Sequence, residues 1–425
     1  MLVPGKSGRL AVIGAGVAGL TAAYILQRKH HVTLFEKNDY AGGHTHTVTV
    51  DKGPDAGLPV DTGFIVMNHR NYPLLTRLLG QLNVQLQDSD MSFAYHDQAS
   101  GLQYCGSSLG GVFAQRRNLV RPSFIRMLRE ILRFYREARA DLQSGMPGDL
   151  SLGDYLARGR YQDGFIRHHV IPMGAAIWST PCDRMMAFPA LRFFQFLDNH
   201  GLLSLGERPQ WKTVQGGSHT YVKRMLAGFA GDVILNSPVR QVSRRPDGAV
   251  VTLPDGQSMS FDAVVIAAHA DEALALLADV SDEEKSLLGA WAYQPNDTVL
   301  HTDASVMPPL RRAWASWNYT RETDAGEGGP ATLSYHMNHL QRLAAAREYF
   351  VTLNRRQPYP AGSVIARMVY GHPVYTAAAM ATQTRLAALN GVRNTYFCGS
   401  YFGYGFHEDA VRSGVAVAQA FGLDL

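Results

Sequence analysis

The stretch RLAVIGAGVAGLTAAYILQRKHHVTLFEK, residues 9–37, leaves few folds open. It reads as a short apolar strand, a glycine turn at 14–19, a segment with helical apolar spacing and a second strand that ends in an acid. Gly14 permits the tight turn, Gly16 lets an anion reach the backbone, and Gly19 lets helix and strand pack closely. A helix starting at such a turn, among Ala15, Val17 and Ala18, offers free N–H groups and the positive end of its dipole to a pyrophosphate. Glu36, followed by Lys37, stands about 20 residues after the first glycine, where a carboxylate accepts ribose hydroxyls. The acid disfavours a 2′-phosphate and leaves NAD and FAD both open.

With 425 residues the chain exceeds one simple core, so two domains are expected. Its 46% hydrophobic and 18% charged content describes a packed globular protein. The net charge of +4 and the lack of an aromatic-plus-basic recognition motif point away from nucleic acid. Three cysteines without a CxxC argue against a disulfide framework and against a metal site, and fit a reducing compartment. The N-terminus lacks a signal-type apolar region, and there is no uninterrupted apolar run of about 20 residues. A cytoplasmic protein is expected, with peripheral membrane contact as an option.

KNDYAGGHTHTV follows Glu36, and VDTGFIVMN occupies 60–68. Glu36, then the Gly42–Gly43 pair, then Asp61-Thr62-Gly63, resembles the extended FAD signature of the flavin amine-oxidase superfamily. That superfamily contains amine oxidases, protoporphyrinogen oxidases and carotenoid desaturases. KTVQGGSHTYVKRM (212–225), DVILNSPVRQV (232–242), FDAVVIAAHADEALALL (261–277) and NTYFCGSYFGYGFHEDAVRSGVAVAQAF (394–421) resemble later segments of the same superfamily. The phrases DTGFIV, MSF, RPQW, HTD, SWNY, GHPVY and GYGFHED resemble a bacterial subgroup of amine-oxidase-like, NAD/FAD-binding proteins.

The resemblance implies an α/β fold. A Rossmann-like FAD-binding domain would be assembled from discontinuous segments, 1–70, 205–285 and 366–425. A mixed α+β substrate domain would take 71–204 and 286–365. FAD would lie along the glycine turn, Glu36 and Lys37, then Gly42, Gly43, His44 and Thr45, then Thr62, Gly63, Phe64 and Ile65. Val239 would meet the adenine from a strand, and Gly399 and Ser400 the pyrophosphate or ribitol. Phe406, His407, Glu408 and Ala410 would follow the flavin, with the last helix aimed at its N1/O2 edge. No cysteine of the covalent-flavin type precedes that strand, so noncovalent FAD is expected. The absence of a second GxGxxG argues against a direct NAD(P)H partner.

Four residues carry expectations of chemistry. His407 either supplies a proton or charge near neutral pH or is a structural hydrogen-bonding histidine. Phe406 falls at one wall of the aromatic cage found in many amine oxidases, without a hydroxyl, and Tyr375 is the second wall. Lys212 matches the lysine that some relatives place near flavin N5 through a water, or is a surface lysine. Glu408 and Asp409 are also read as caps of the last helix.

Residues 123–142 form a basic amphipathic helix with Arg126, Arg129, Arg133 and Arg136 in a stripe, and Arg116, Arg117 and Arg121 upstream. This is a solvated face of a core helix or a contact, through 116–142, with an anionic membrane. The function expected is hydride transfer between a substrate C–H bond and flavin N5. A fatty-acyl or other lipid chain, desaturated or saturated, is the expected substrate. A flavin amine oxidase and a non-catalytic flavin-binding sensor or assembly protein are the alternatives.

Overall fold

The computed structural model describes residues 7–178, 182, 184–204, 206, 208–323 and 332–425. The first six residues, part of the N-terminus read for a targeting signal, lie outside this set.

Strand Arg9–Ile13 is apolar and almost wholly buried, and it sits in the middle of a five-stranded parallel sheet. The order is Asp232–Ile234, His31–Phe35, Arg9–Ile13, Ala263–Ile266, Thr395–Phe397. A sheet buried on both faces needs continuous apolar strands, and AVVI at 263–266 supplies one. Helix Val17–Leu26 is apolar all round because it lies between this sheet and the C-terminal helix His407–Ala420. Val239 is in neither neighbouring strand. It occupies the loop between Asp232–Ile234 and Gln241–Arg245, which belong to different sheets.

A second, seven-stranded sheet runs in the order Val364–Val374, Ala292–His301, Phe350–Leu353, Thr332–His336, Trp317–Arg321, Phe93–Asp97, Gln103–Cys105. The strand Val364–Val374 crosses the domain boundary expected near 366. It pairs with Ala292–His301, while its far end turns toward the first sheet through Gly371, against which His269 packs. Helices cover the rest. Pro122–Ser144 buries Phe124, Met127, Ile131, Phe134, Tyr135 and Ala138 along one face and ends at Gly145 in the left-handed region, φ 79°. His168 and His169 hydrogen-bond separate tyrosines, His168 to Tyr95 (2.8 Å) and His169 to Tyr104 and Tyr135 (both 3.3 Å).

One carboxylate joins distant parts of the chain. Asp61 is fully buried and accepts from Thr47 Oγ1 (2.5 Å), Ser218 N (2.8 Å), Ser218 Oγ (2.8 Å) and Gln341 Nε2 (2.9 Å). Its own N–H donates to Gln341 Oε1 at 2.8 Å. Desolvation raises its pKa to about 6, against the donors that hold the ionised form. Asp61→Asn would turn an amide NH2 toward groups that are themselves donors. The expected outcome is a loss of about 2 kcal/mol of stability, read from urea unfolding, because a buried donor is left unmatched.

Candidate active site

The glycine turn is built by contacts that only glycine allows. Gly14 has φ +99°, and a Cβ there would lie 2.5 Å from the carbonyl oxygen of Ala267. A Cβ on Gly19 would lie 2.0 Å from the carbonyl oxygen of Gly14. Gly16 is different: a Cβ there would meet nothing within 4 Å. Gly16 begins the helix Val17–Leu26, and no side chain caps that end. The helix N-terminus therefore faces open space with its N–H groups available to an anion.

That space is a cavity of about 850 Å³. Gly14, Gly16, Val17, Ala18, Glu36, Lys37, Gly42, Gly43, His44, Gly63, Phe64, Ile65 and Val239 line it from the N-terminal and central segments. Gly399, Ser400, Phe406, His407, Ala410 and Tyr375 line it from the C-terminal ones. Glu36 accepts from Ala15 N (2.8 Å) and Asn38 N (2.9 Å), which fixes the carboxylate and leaves lone pairs for hydroxyl donors. Lys37 reaches Glu272 at 2.7 Å. The half-buried His44 has a buried Nε2 with no protein partner, and desolvation with the neighbouring His372 and His269 holds it well below its ordinary value. These are the features of a dinucleotide cradle, and the groups present fit FAD.

Six of the expected residues stand outside the cavity wall. Ala15 orients Glu36, and Gly19 carries the helix–turn contact. Thr45 and Thr62 hold the wall from behind: Thr45 Oγ1 meets Tyr221 Oη at 2.5 Å, and Thr62 Oγ1 meets Tyr370 Oη at 2.8 Å. Glu408 turns away and accepts from Leu74 N and Leu75 N, both at 3.0 Å, so it caps the helix Pro73–Gln81 and not its own. Lys212 pairs with Asp88 at 2.6 Å, because alternation along its strand turns Lys212 out while the adjacent Trp211 lines the cavity.

In the C-terminal loop Asp409 accepts from Tyr404 N (2.9 Å) and Phe406 N (3.1 Å) and caps its own helix. His407 Nε2 lies 2.9 Å from both Thr45 Oγ1 and Tyr221 Oη, and its ring stacks on Phe64 at 3.7 Å. Burial pushes its pKa down to about 3, so it is neutral near pH 7 and serves as a polar strut. Phe406 stacks on Phe196 (4.8 Å), while Tyr375 donates to Gly403 O (3.1 Å) and packs edge-on against Trp291 (5.5 Å).

Sequence reasoning missed His269, His372 and Tyr293, which line the cavity beside His44. His269 stacks on Tyr293 at 4.1 Å, and His372 stacks on His44 at 5.5 Å. The signal was there, since His269 follows a buried strand directly and His372 lies in GHPVY. Of the apolar residues between 177 and 196, Ile177, Trp178 and Phe196 line the cavity, and Phe188, Phe193 and Phe194 are core.

Two outcomes follow from this geometry. Gly16→Val should fold with its melting temperature little changed and lose FAD affinity by at least about 100-fold, since its side chain enters empty space; Gly19→Val should instead fail to fold. Equilibrium FAD titration and circular dichroism separate the two. Burial also depresses His200 and His372 to about 4. Between about 6.5 and 4 the unfolded chain binds protons that the folded chain refuses, so stability falls as pH drops through that window. The urea midpoint should be lower at pH 5 than at pH 7, and His200→Gln should shrink the difference.

A sequence profile of the family described as flavin containing amine oxidoreductase matches residues 17–311. The 15-cis-phytoene desaturase of Narcissus pseudonarcissus is 26% identical over 294 residues, 63% of this chain and 48% of that protein. The chain spans about half the length of the curated relatives it matches. Among solved structures, a mutant putrescine oxidase with redesigned cofactor binding superposes with a TM-score of 0.68 at 16% identity, over 98% of this chain and 99% of the other. A fatty acid isomerase of P. acnes, which produces CLA, superposes at 0.67 with 13% identity, over 96% and 97%. The glycine turn, the acid and the profile agree: the chain belongs to the family of flavin-containing amine oxidoreductases, and its cofactor is FAD.

Proposed function

We propose that this protein is an FAD-dependent oxidoreductase that transfers hydride to or from a C–H bond of a long apolar substrate, such as a fatty-acyl or related lipid chain. The observation that carries this reading is the lining of the substrate end of the cavity. Met91, Phe93, Met173, Ile177, Trp178, Phe196, Leu202, Trp211, Trp317 and Tyr335 surround it. No carboxylate and no Lys or Arg is among them. The charged lining residues, Glu36, Lys37, Arg240 and Glu272, belong to the nucleotide end, where Lys37 and Glu272 pair. An apolar chain gains about 25 cal/mol for each Å² it buries in such a lining, whereas a cationic substrate finds no counter-ion.

Bound FAD supplies the hydride acceptor or donor. The protein's share is binding and exclusion of water. His200 beside Phe406 is neutral, as is His407, and the Tyr375 hydroxyl is engaged by the Gly403 carbonyl. None of these groups is poised as a base near neutral pH, so the proton that leaves with the hydride when an alkene forms, or joins when one is saturated, is exchanged with solvent. Phe406 and Tyr375 both line the cavity, Phe406 stacked on Phe196 and Tyr375 edge-on to Trp291. Two of the matched proteins are, by name, a phytoene desaturase and a fatty acid isomerase.

The flavin is held noncovalently in this reading, since Cys398 is buried outside the cavity wall with its thiol pushed up to about 12. The test is anaerobic mixing of the purified holoprotein with fatty acids and acyl esters, and of the photoreduced protein with unsaturated lipids, beside an amine panel. Bleaching or reoxidation by lipids is expected, with flavin released on denaturation passing a filter. Bleaching by amines alone would replace the lipid reading with amine oxidation. A flavin inert to both panels would leave a non-catalytic binding protein.

A further inference from the structure

We propose that the face formed by residues 109–136 docks the protein on the surface of an anionic lipid bilayer. Along helix Pro122–Ser144 the outward positions follow one stripe: Arg126, Arg129, Leu132, Arg136 and Arg139 are all exposed, while the opposite face is in the core. The turn Arg116–Val120 packs against this helix and adds exposed Arg116 and Arg117, and Arg121 joins the two. Among the described residues Arg116, Arg117, Arg121, Arg126, Arg129 and Arg136 form no salt bridge. The single acid in this segment, Glu130, is turned inward and accepts from Gln162 N at 3.2 Å. The surface is therefore strongly cationic, although Arg139 at the far end of the stripe pairs with Asp198 at 3.5 Å.

Charge alone would suit any polyanion. The apolar side chains decide between them. Leu109 (80% exposed), Leu119 (51%), Val120 (84%) and Leu132 (49%) fall within residues 109–136. They are four of the eight strongly exposed large apolar residues described; the other four, Val233, Val280, Val369 and Val392, are scattered along the chain. Leu119 and Val120 lie between Arg117 and Arg121 in the chain and are exposed; on a bilayer they would sit below the phosphate plane while the guanidinium groups pair with it. A phosphodiester backbone offers no apolar layer to receive them.

The position relative to the cavity gives docking a use. Phe134 of the helix touches Phe194 (5.4 Å), Phe194 touches Phe193 (6.0 Å), and Phe193 touches the cavity residue Trp178 (5.7 Å). The docking helix is thus linked to the cavity wall through two phenylalanines. Docking itself does not depend on what the substrate is.

The experiment is co-sedimentation of the holoprotein with phosphatidylcholine vesicles with and without phosphatidylglycerol, at low and high salt. Binding should need the anionic lipid and fall with salt. Arg126→Gln/Arg129→Gln/Arg136→Gln should weaken it roughly 100-fold, at about 5-fold per arginine. Leu119→Ser/Val120→Ser should weaken it further, with the flavin spectrum of both variants unchanged. Three results would overturn the proposal: no preference for anionic vesicles, binding indifferent to Leu119 and Val120, or duplex DNA bound as tightly through the same arginines.

Discussion

The close approach of Gly14, Gly19 and Ala267 is the contact on which the rest of the molecule turns. No Cβ fits between the helix, the turn and the neighbouring strand end, so the three backbones touch. That contact fixes the direction of helix Val17–Leu26 and thus where its N–H groups point. Gly414 repeats the device on the other side, where a Cβ would lie 2.5 Å from the Ala18 carbonyl oxygen. The C-terminal helix can therefore lie against the first one, and its own N-terminus reaches the same cavity. Two helix dipoles converge on one space because three glycines let the helices come close.

Much of this was legible in the sequence because it depends on local chemistry. The strand–turn–helix–strand of residues 9–37 is set by residue size, apolar spacing and an acid at the strand end. The side chains that look inward are harder to read. Glu408 and Asp409 are adjacent acids at a helix start, and local rules make both into caps of that helix. Asp409 is one, but a helix rotates successive side chains by about 100°, and Glu408 meets the start of the helix Pro73–Gln81. Lys212 and the preceding Trp211 likewise turn opposite ways at the start of a strand, Lys212 to Asp88 and Trp211 to the cavity. His269 and His372 meet at His44 only because two strands far apart in sequence end at the same place.

The electrostatics of the cavity divide along its length. At the nucleotide end charges are paired and partly solvated, as with Lys37 and Glu272. Toward the substrate end the titratable groups are buried and neutral, His407 and His200 among them. Burial removes charge, and the neutral groups then spend their hydrogen bonds on the scaffold, as His407 does with Thr45 and Tyr221. The result is an apolar part of the cavity beside a polar one.

The strand order of the parallel sheet also has a consequence for biosynthesis. Its neighbours Ala263–Ile266 and Thr395–Phe397 lie about 130 residues apart in the chain, and the cavity wall at 399–410 follows the latter. During synthesis the glycine turn emerges early and waits. Until the last strand and helix leave the ribosome, the edge of Ala263–Ile266 is unpaired and the apolar flank of Val17–Leu26 is uncovered. The cofactor cradle can close only as a late, long-range event. A nascent chain is thus exposed to aggregation until residues 395–420 have been made, and free FAD can act as a folding ligand only after that.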